Sequence, residues 1–161
     1  MSEGAPAEPG EGPSDWQLAG GEAVMRPLME DFVRRIFADA MIGFMFDGRS
    51  QKRIAEMELR LASVQLGGPM EYTGRDLREV HRRLPIMGGQ FLRRRQILIN
   101  TLRDHGVDPG VTARWLVHID ALRDHIMGSG AVEHCNHTEQ RERMAGRLPG
   151  DPEAPTAVAK G

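Results

Sequence analysis

The sequence predicts one all-α domain, and three observations carry that reading. Apolar residues recur at three- and four-residue spacing through every long apolar stretch. No stretch alternates apolar and polar residues with the period of a strand. Glycine and proline fall between the periodic stretches, where chain breaks are needed. With 161 residues, 40% of them hydrophobic, and a formal charge of −2, the chain is long enough to bury one real core.

Composition also narrows function. Near-neutral charge leaves no basic footprint for nucleic acid or an anionic membrane surface, and no apolar run approaches the roughly 20 residues of a membrane span. Cys135 is the only cysteine, which rules out an internal disulfide and attachment of a group through paired cysteines. With no basic, apolar leader at the start, a cytoplasmic protein is expected. Residues 1–14 and 129–161 are rich in small and polar residues and read as largely disordered tails. The domain is expected over residues 15–128.

The elements follow in order. Asp15 to Ala19 make a single turn with Trp16 and Leu18 as contacts, and Gly20-Gly21 breaks the chain. A helix over residues 23–38 buries Val24, Leu28, Phe32 and Ile36, with Met25, Met29 and Val33 beside them and Pro27 in its first turn. Asp39 to Phe46 read as one or two buried helical turns begun by Asp39. Ser50 caps a helix running to Leu66, with Ile54, Met57, Leu61 and Val64 as its apolar stripe. Glu58 sits at the border of that stripe, where a carboxylate either swings to solvent or meets a group that justifies its burial.

Gly67-Gly68-Pro69 stops this helix. Thr73 is expected to cap a short helix with Asp76 in its first turn, and Leu77, Val80 and His81 share one face before Pro85 ends it. A long helix over residues 88–105 turns Phe91, Ile97, Leu98 and Leu102 inward and Arg93, Arg94 and Arg95 largely outward, and Gly106 closes it. Asp108-Pro109 begins a last helix that reaches Met127 and buries Val111, Trp115, Ile119, Leu122 and Ile126.

His81 is the candidate functional residue, on the apolar face of a helix too short to be stable alone. By spacing alone, a core histidine bonded to a carbonyl and a metal or cofactor ligand both remain open. The soft donors of His134-Cys135-Asn136-His137 lack the second cluster that a four-ligand metal site needs. His105, His118 and His125 show no partner pattern.

The glycine pair Gly20-Gly21, the run from Phe32 through Ala38-Asp39-Ala40 to Met45-Phe46, and above all the series Gly67, Gly68, Tyr72, Gly74, Arg75, Leu77, Arg78, Glu79, Val80, His81 resemble the truncated, two-over-two haemoglobins, most closely their first group. The likeness covers roughly residues 16–127. It implies a truncated globin fold, a two-over-two helical sandwich around haem b, with His81 as the proximal iron ligand and its second nitrogen held by a backbone carbonyl. It places Phe46 as the distal wedge, Leu61, Leu77 and Phe91 along the haem, and Arg75 at a propionate.

On the distal side this chain departs from the family. Val33 stands where a tyrosine donates to the gas ligand, and the usual polar positions of the next helix hold Ile54, Met57 and Glu58. Glu58 is then the candidate donor or acid–base group, and Met57 a candidate sixth ligand. The resemblance implies a protein that binds diatomic gases (O2, NO or CO), acting in detoxification or sensing, with a redox partner in an NO-dioxygenase role. The alternatives are a peroxidase-like enzyme that uses Glu58 and a globin-shaped interaction module without gas binding.

Overall fold

Packing begins at Trp16, which is buried in a helix of a single turn, α1 (Asp15–Leu18). In the computed structural model, which describes residues 12–127, Ser14 and Gln17 cap α1 reciprocally. The Ser14 hydroxyl accepts from the Gln17 amide at 3.2 Å, and the Gln17 side chain accepts from the Ser14 amide at 2.9 Å. Ser14 therefore belongs to the folded unit and not to a tail. Leu18, expected as a core contact, is half exposed, because the turn offers only its Trp16 side to the domain.

Helix α2 (Gly21–Ala38) is the central element and buries Met25, Leu28, Met29, Phe32, Val33 and Ile36. Val24 lies on its outer side instead, since a strict four-residue repeat drifts around a helix of 3.6 residues per turn. The helix starts two residues earlier than expected, at Gly21, so Pro27 lies inside it on an exposed face rather than in its first turn. Beyond α2, the Asp39 carboxylate accepts from the amides of Met41 and Ile42 at 3.0 and 3.2 Å, and a 3-10 helix follows (Gly43–Phe46). Gly43 is required there, because a Cβ would sit 2.5 Å from the Phe37 carbonyl oxygen.

Helix α3 (Gln51–Leu66) is capped by Ser50 as expected, with the hydroxyl accepting from the Arg53 amide at 3.2 Å. It packs closely along α2 through Ala55, Leu59, Ala62, Ser63 and Leu66. Ile54, Met57 and Leu61 line a neighbouring, half-buried face, and Val64 is exposed. Helix α4 (Leu77–His81) is short. Helix α5 (Gly88–Asp104) crosses α2 and buries Phe91, Ile97, Leu98 and Leu102. Helix α6 (Pro109–Ala121) is capped by Asp108 and buries Val111, Trp115 and Ile119. The expected single last helix breaks at Leu122, and α7 (Arg123–Met127) turns to pack on α4, leaving Leu122 and Ile126 half-buried.

The described residues contain no strand and no helix long and apolar enough to cross a membrane. Residues 1–11 and 128–161, including His134-Cys135-Asn136-His137, lie outside the described residues.

Ion pairs tie α2 to the end of α5. Asp31 bonds Arg34, Arg35 and His105, and Arg35 reaches on to Asp104 at 2.7 Å. Partial burial alone would raise the Asp31 pKa, but the bonds from His105, Arg35 and Arg34 outweigh it and hold the carboxyl well below the usual range. A depressed folded-state pKa stabilises the fold above the unfolded pKa and loses that effect as the pH falls through the folded one. Asp31→Asn should therefore cost about 1–2 kcal/mol at pH 7. In denaturant titrations the gap to wild type should close as the pH drops below about 4; a gap that stays constant to acid pH would contradict this origin.

Candidate functional site

His81 occupies the last residue of α4, and the chain leading to it is braced from several sides. Gly67 ends α3 in the left-handed conformation at φ 74°. Gly68 lies against Trp16 and Ser63, so close that a Cβ there would meet the indole at 2.7 Å. The buried Ser63 hydroxyl accepts from the Met70 amide at 3.0 Å. The Tyr72 ring covers Gly74, and its hydroxyl donates to the Arg75 carbonyl at 3.1 Å. Burial, with the Glu58 and Asp76 carboxylates, pushes the Tyr72 pKa up, so this donor keeps its proton. Asp76, rather than the expected Thr73, caps α4 by accepting from the Glu79 amide at 3.0 Å.

The imidazole is set by one bond. His81 Nδ1 lies 2.7 Å from the Leu77 carbonyl oxygen. A carbonyl only accepts, so Nδ1 carries the proton and Nε2 keeps its lone pair. Burial, the largest influence, pushes the His81 pKa down and outweighs the opposing effect of the Leu77 bond. A neutral, half-buried imidazole with a fixed tautomer is the form that ligates a metal. Helix α4 packs on α7 and makes little direct contact with α2, α3 or α5. The Arg94 charge adds to the lowering of the His81 pKa, and the Glu58 charge opposes it.

The other residues expected here are placed as follows. Leu77 is half-buried on α4 and Phe91 is buried in the first turn of α5. Phe46 is half-buried in the 3-10 helix and stacks on Phe37 with ring centroids 5.2 Å apart. Ile54, Met57, Glu58 and Leu61 share the half-buried face of α3. Val33 is fully enclosed by protein. Arg75 is exposed, and its guanidinium makes no ion pair with another described residue.

Arg94 is the charged residue of this region that the sequence reading placed wrongly. It was expected to face largely outward, yet its Nη2 meets Glu58 Oε1 at 2.5 Å and its guanidinium lies 5.0 Å above the Phe32 ring. The signal was present in the spacing, since Arg94 is three residues after Phe91 and four before Leu98, both buried. Only its neighbours point away, Arg93 to Asp39 and Arg95 to Asp120, each at 2.7 Å.

A cavity of about 810 Å3 lies elsewhere, between α2 and the first half of α3, and shares only Met57 with the residues above. Of the charged groups along it, Arg26 and Glu56 bond each other at 2.7 Å, and Glu30, Lys52 and Arg53 are exposed. The chemistry is therefore read from His81.

Residues 15–128 match the model of the bacterial-like globin family. The chain belongs to that family. It is similar to a group 1 truncated hemoglobin of Tetrahymena thermophila, 23% identical over 116 residues that cover 72% of this chain and 96% of the relative. A second such relative, GlbN of Mycolicibacterium paratuberculosis, is 30% identical over 68 residues, 42% of this chain and 50% of the relative. Among solved structures, the truncated hemoglobin of Tetrahymena pyriformis in its Fe(III) form superposes with a TM-score of 0.69 at 22% identity, covering 73% of this chain and all of that one (100%). The 2/2 hemoglobin of Synechococcus superposes with a TM-score of 0.68 at 18% identity, covering 73% of this chain and 100% of that one. The expected truncated globin fold, of the first group, is thereby established, and membership in a globin family implies a haem cofactor. The residues present fit that group, with a neutral imidazole of fixed tautomer on a helix that stands off from α3.

Because one side-chain cap holds the start of α4, Asp76→Ala should loosen this helix by about 1 kcal/mol. Amide exchange at Val80 and His81 should accelerate while exchange in α2 stays unchanged. Equal acceleration in both helices would show that Asp76 supports the whole fold rather than α4.

Proposed function

We propose that this protein is a haem b globin, with His81 as the axial iron ligand and small diatomic gases as its ligands. One observation carries the reading: the Nδ1 bond to the Leu77 carbonyl leaves Nε2 as the only lone-pair nitrogen of a neutral, partly buried ring. A bound haem supplies a redox-active iron with affinity for O2, NO and CO. The protein supplies orientation and exclusion of water. Leu77 and Phe91 give apolar surface on the proximal side, with Phe46, Leu61, Ile54 and Met57 opposite, and the exposed Arg75, which pairs with no carboxylate among the described residues, suits a propionate.

The enclosed Val33 offers no hydroxyl and has no room to be replaced by a ring without displacing core. Any donor to an iron ligand must therefore come from elsewhere. A peroxidase-like role for Glu58 is the weaker reading, because one oxygen of that carboxylate is already engaged by Arg94.

The test is reconstitution of the full chain with haem, followed by ferric, ferrous and ferrous-CO spectra. Wild type should take up one haem per chain. His81→Ala should lose most of it, by about 10-fold or more in affinity, as expected when a principal ligand is removed. Failure of the wild type to bind haem, or an unaltered spectrum in His81→Ala, would overturn the assignment.

A further inference from the structure

Helix α4 has two unlike sides. Leu77, Val80 and His81 are half-buried, whereas Arg78, Glu79 and Arg82 are exposed. Arg82 is the C-cap residue, and Arg83, also exposed, follows it. Three arginines thus stand against one glutamate over residues 77–83, in a chain whose formal charge is −2. On α7, which packs against α4, Asp124 and His125 are exposed.

Several arginines elsewhere bond carboxylates, as Arg35 does Asp31 and Asp104, Arg95 does Asp120 and Arg114 does Asp15. Arg78 and Arg82 bond no carboxylate among the described residues. They are four residues apart, so their like charges lie one above the other along the helix and repel. On a helix of five residues, which is marginal by itself, that repulsion is a cost the fold does not require.

The large hydrophobic residues left exposed, such as Leu92 and Val117, lie on other elements. A lasting subunit contact has an apolar, desolvated centre, so this face suits a short-lived encounter steered by charge. Glu79 and Asp124, exposed on α4 and on the helix packed against it, would oppose the continuous negative charge of a bilayer or a nucleic acid. Those surfaces also call for denser basic clusters. A protein can place acids and bases to match. His81 lies on the same helix, three residues from Arg78 and next to Arg82, so a docked protein would stand one helix diameter, about 10 Å, from the imidazole.

We propose that Arg78 and Arg82, with Arg83 beside them, form the docking face for an acidic one-electron carrier protein. The carrier is oxidised by one electron as ferric iron becomes ferrous, and no bond is made or broken. The proposal rests on the haem reading, which supplies the electron acceptor.

The probe is a flavodoxin of net negative charge, mixed with the haem-loaded full chain. Oxidised flavodoxin added to the ferrous-CO form reports docking alone. Amide NMR signals should shift at Arg78, Glu79 and Arg82 and stay unchanged in α6. In stopped flow under CO, flavodoxin hydroquinone should reduce the ferric chain at a second-order rate that falls about 10-fold between about 0.01 and about 0.15 M ionic strength. Reversing both charges (Arg78→Glu with Arg82→Glu) should slow that rate about 10-fold at low salt and flatten its salt dependence. Haem content and the ferrous-CO spectrum should not change. Arg103→Glu, the same reversal at the far end of α5, should leave the rate within about threefold.

Equal rates in wild type and the doubly reversed variant overturn the proposal, as does a wild type that flavodoxin neither binds nor reduces. Amide shifts confined to other elements overturn it, and so does tighter binding to phosphatidylserine vesicles or duplex DNA than to flavodoxin. Should the reversed variant lose haem, Arg78→Gln with Arg82→Gln decides. An unchanged rate there, or loss of haem in that variant too, overturns the docking role. A wild type that takes up no haem sinks the haem reading first. A haem-loaded chain indifferent to Arg78 and Arg82 sinks only this one.

Discussion

The hydrogen bond from His81 Nδ1 to the Leu77 carbonyl exists only while α4 keeps its place, and α4 has just five residues. A helix that short has too few internal bonds to offset the entropy of ordering it. Its position is therefore imposed from outside, by the Asp76 cap, by α7 behind it and by the segment before it. That segment is in turn fixed on Ser63, on Tyr72 over Gly74 and on Gly68 against Trp16. A capped turn at residues 14–18 thus helps to place a histidine more than sixty positions later. The orientation of one imidazole depends on contacts running from the start of the domain to its last helix.

Much of this was legible in the sequence because it depends on local chemistry. Ser50 and Asp108 announce helix starts, Gly67 announces a left-handed stop, and the spacing of Phe32, Ile36, Leu98 and Trp115 marks the core. The glycine series leading to His81 was legible for a different reason. Its glycines are needed where rings lie against the backbone, as Gly68 meets Trp16 and Gly74 meets Tyr72. Those demands fix glycine at set positions along the segment.

What was not legible depended on tertiary partners. On α3 the strong apolar stripe of Ile54, Met57, Leu61 and Val64 drew attention, yet α2 packs on the next face, through Ala55, Leu59, Ala62, Ser63 and Leu66. Small residues let two helix backbones approach closely, and a hydrophobicity pattern gives them little weight. Ile54, Met57 and Leu61 of the bulkier stripe remain half-buried, and Val64 is exposed. The break at Leu122 was equally hidden, because it is set by the docking of α7 on α4 and not by any glycine or proline at that point. Asp31 and His105 were missed as partners because they are 74 positions apart and meet only when α2 and α5 pack.

Arg94 shows how a buried charge escapes a binary reading of sequence. Three consecutive arginines look like a solvated face, since charge in helices is usually solvated. On this helix, however, one residue in three or four must face the core side, and the Phe91–Leu98 spacing puts Arg94 there. Its charge is tolerable only because Glu58, at the border of the opposing stripe, meets it and Phe32 underlies it. Glu58, which looked misplaced on an apolar stripe, is explained by Arg94, whose inward position the sequence reading had not expected. Losing either would leave an uncompensated, partly buried charge, which costs far more than the pair itself contributes. Such a pair is weak evidence for stability, because its attraction is largely offset by what burying both charges costs.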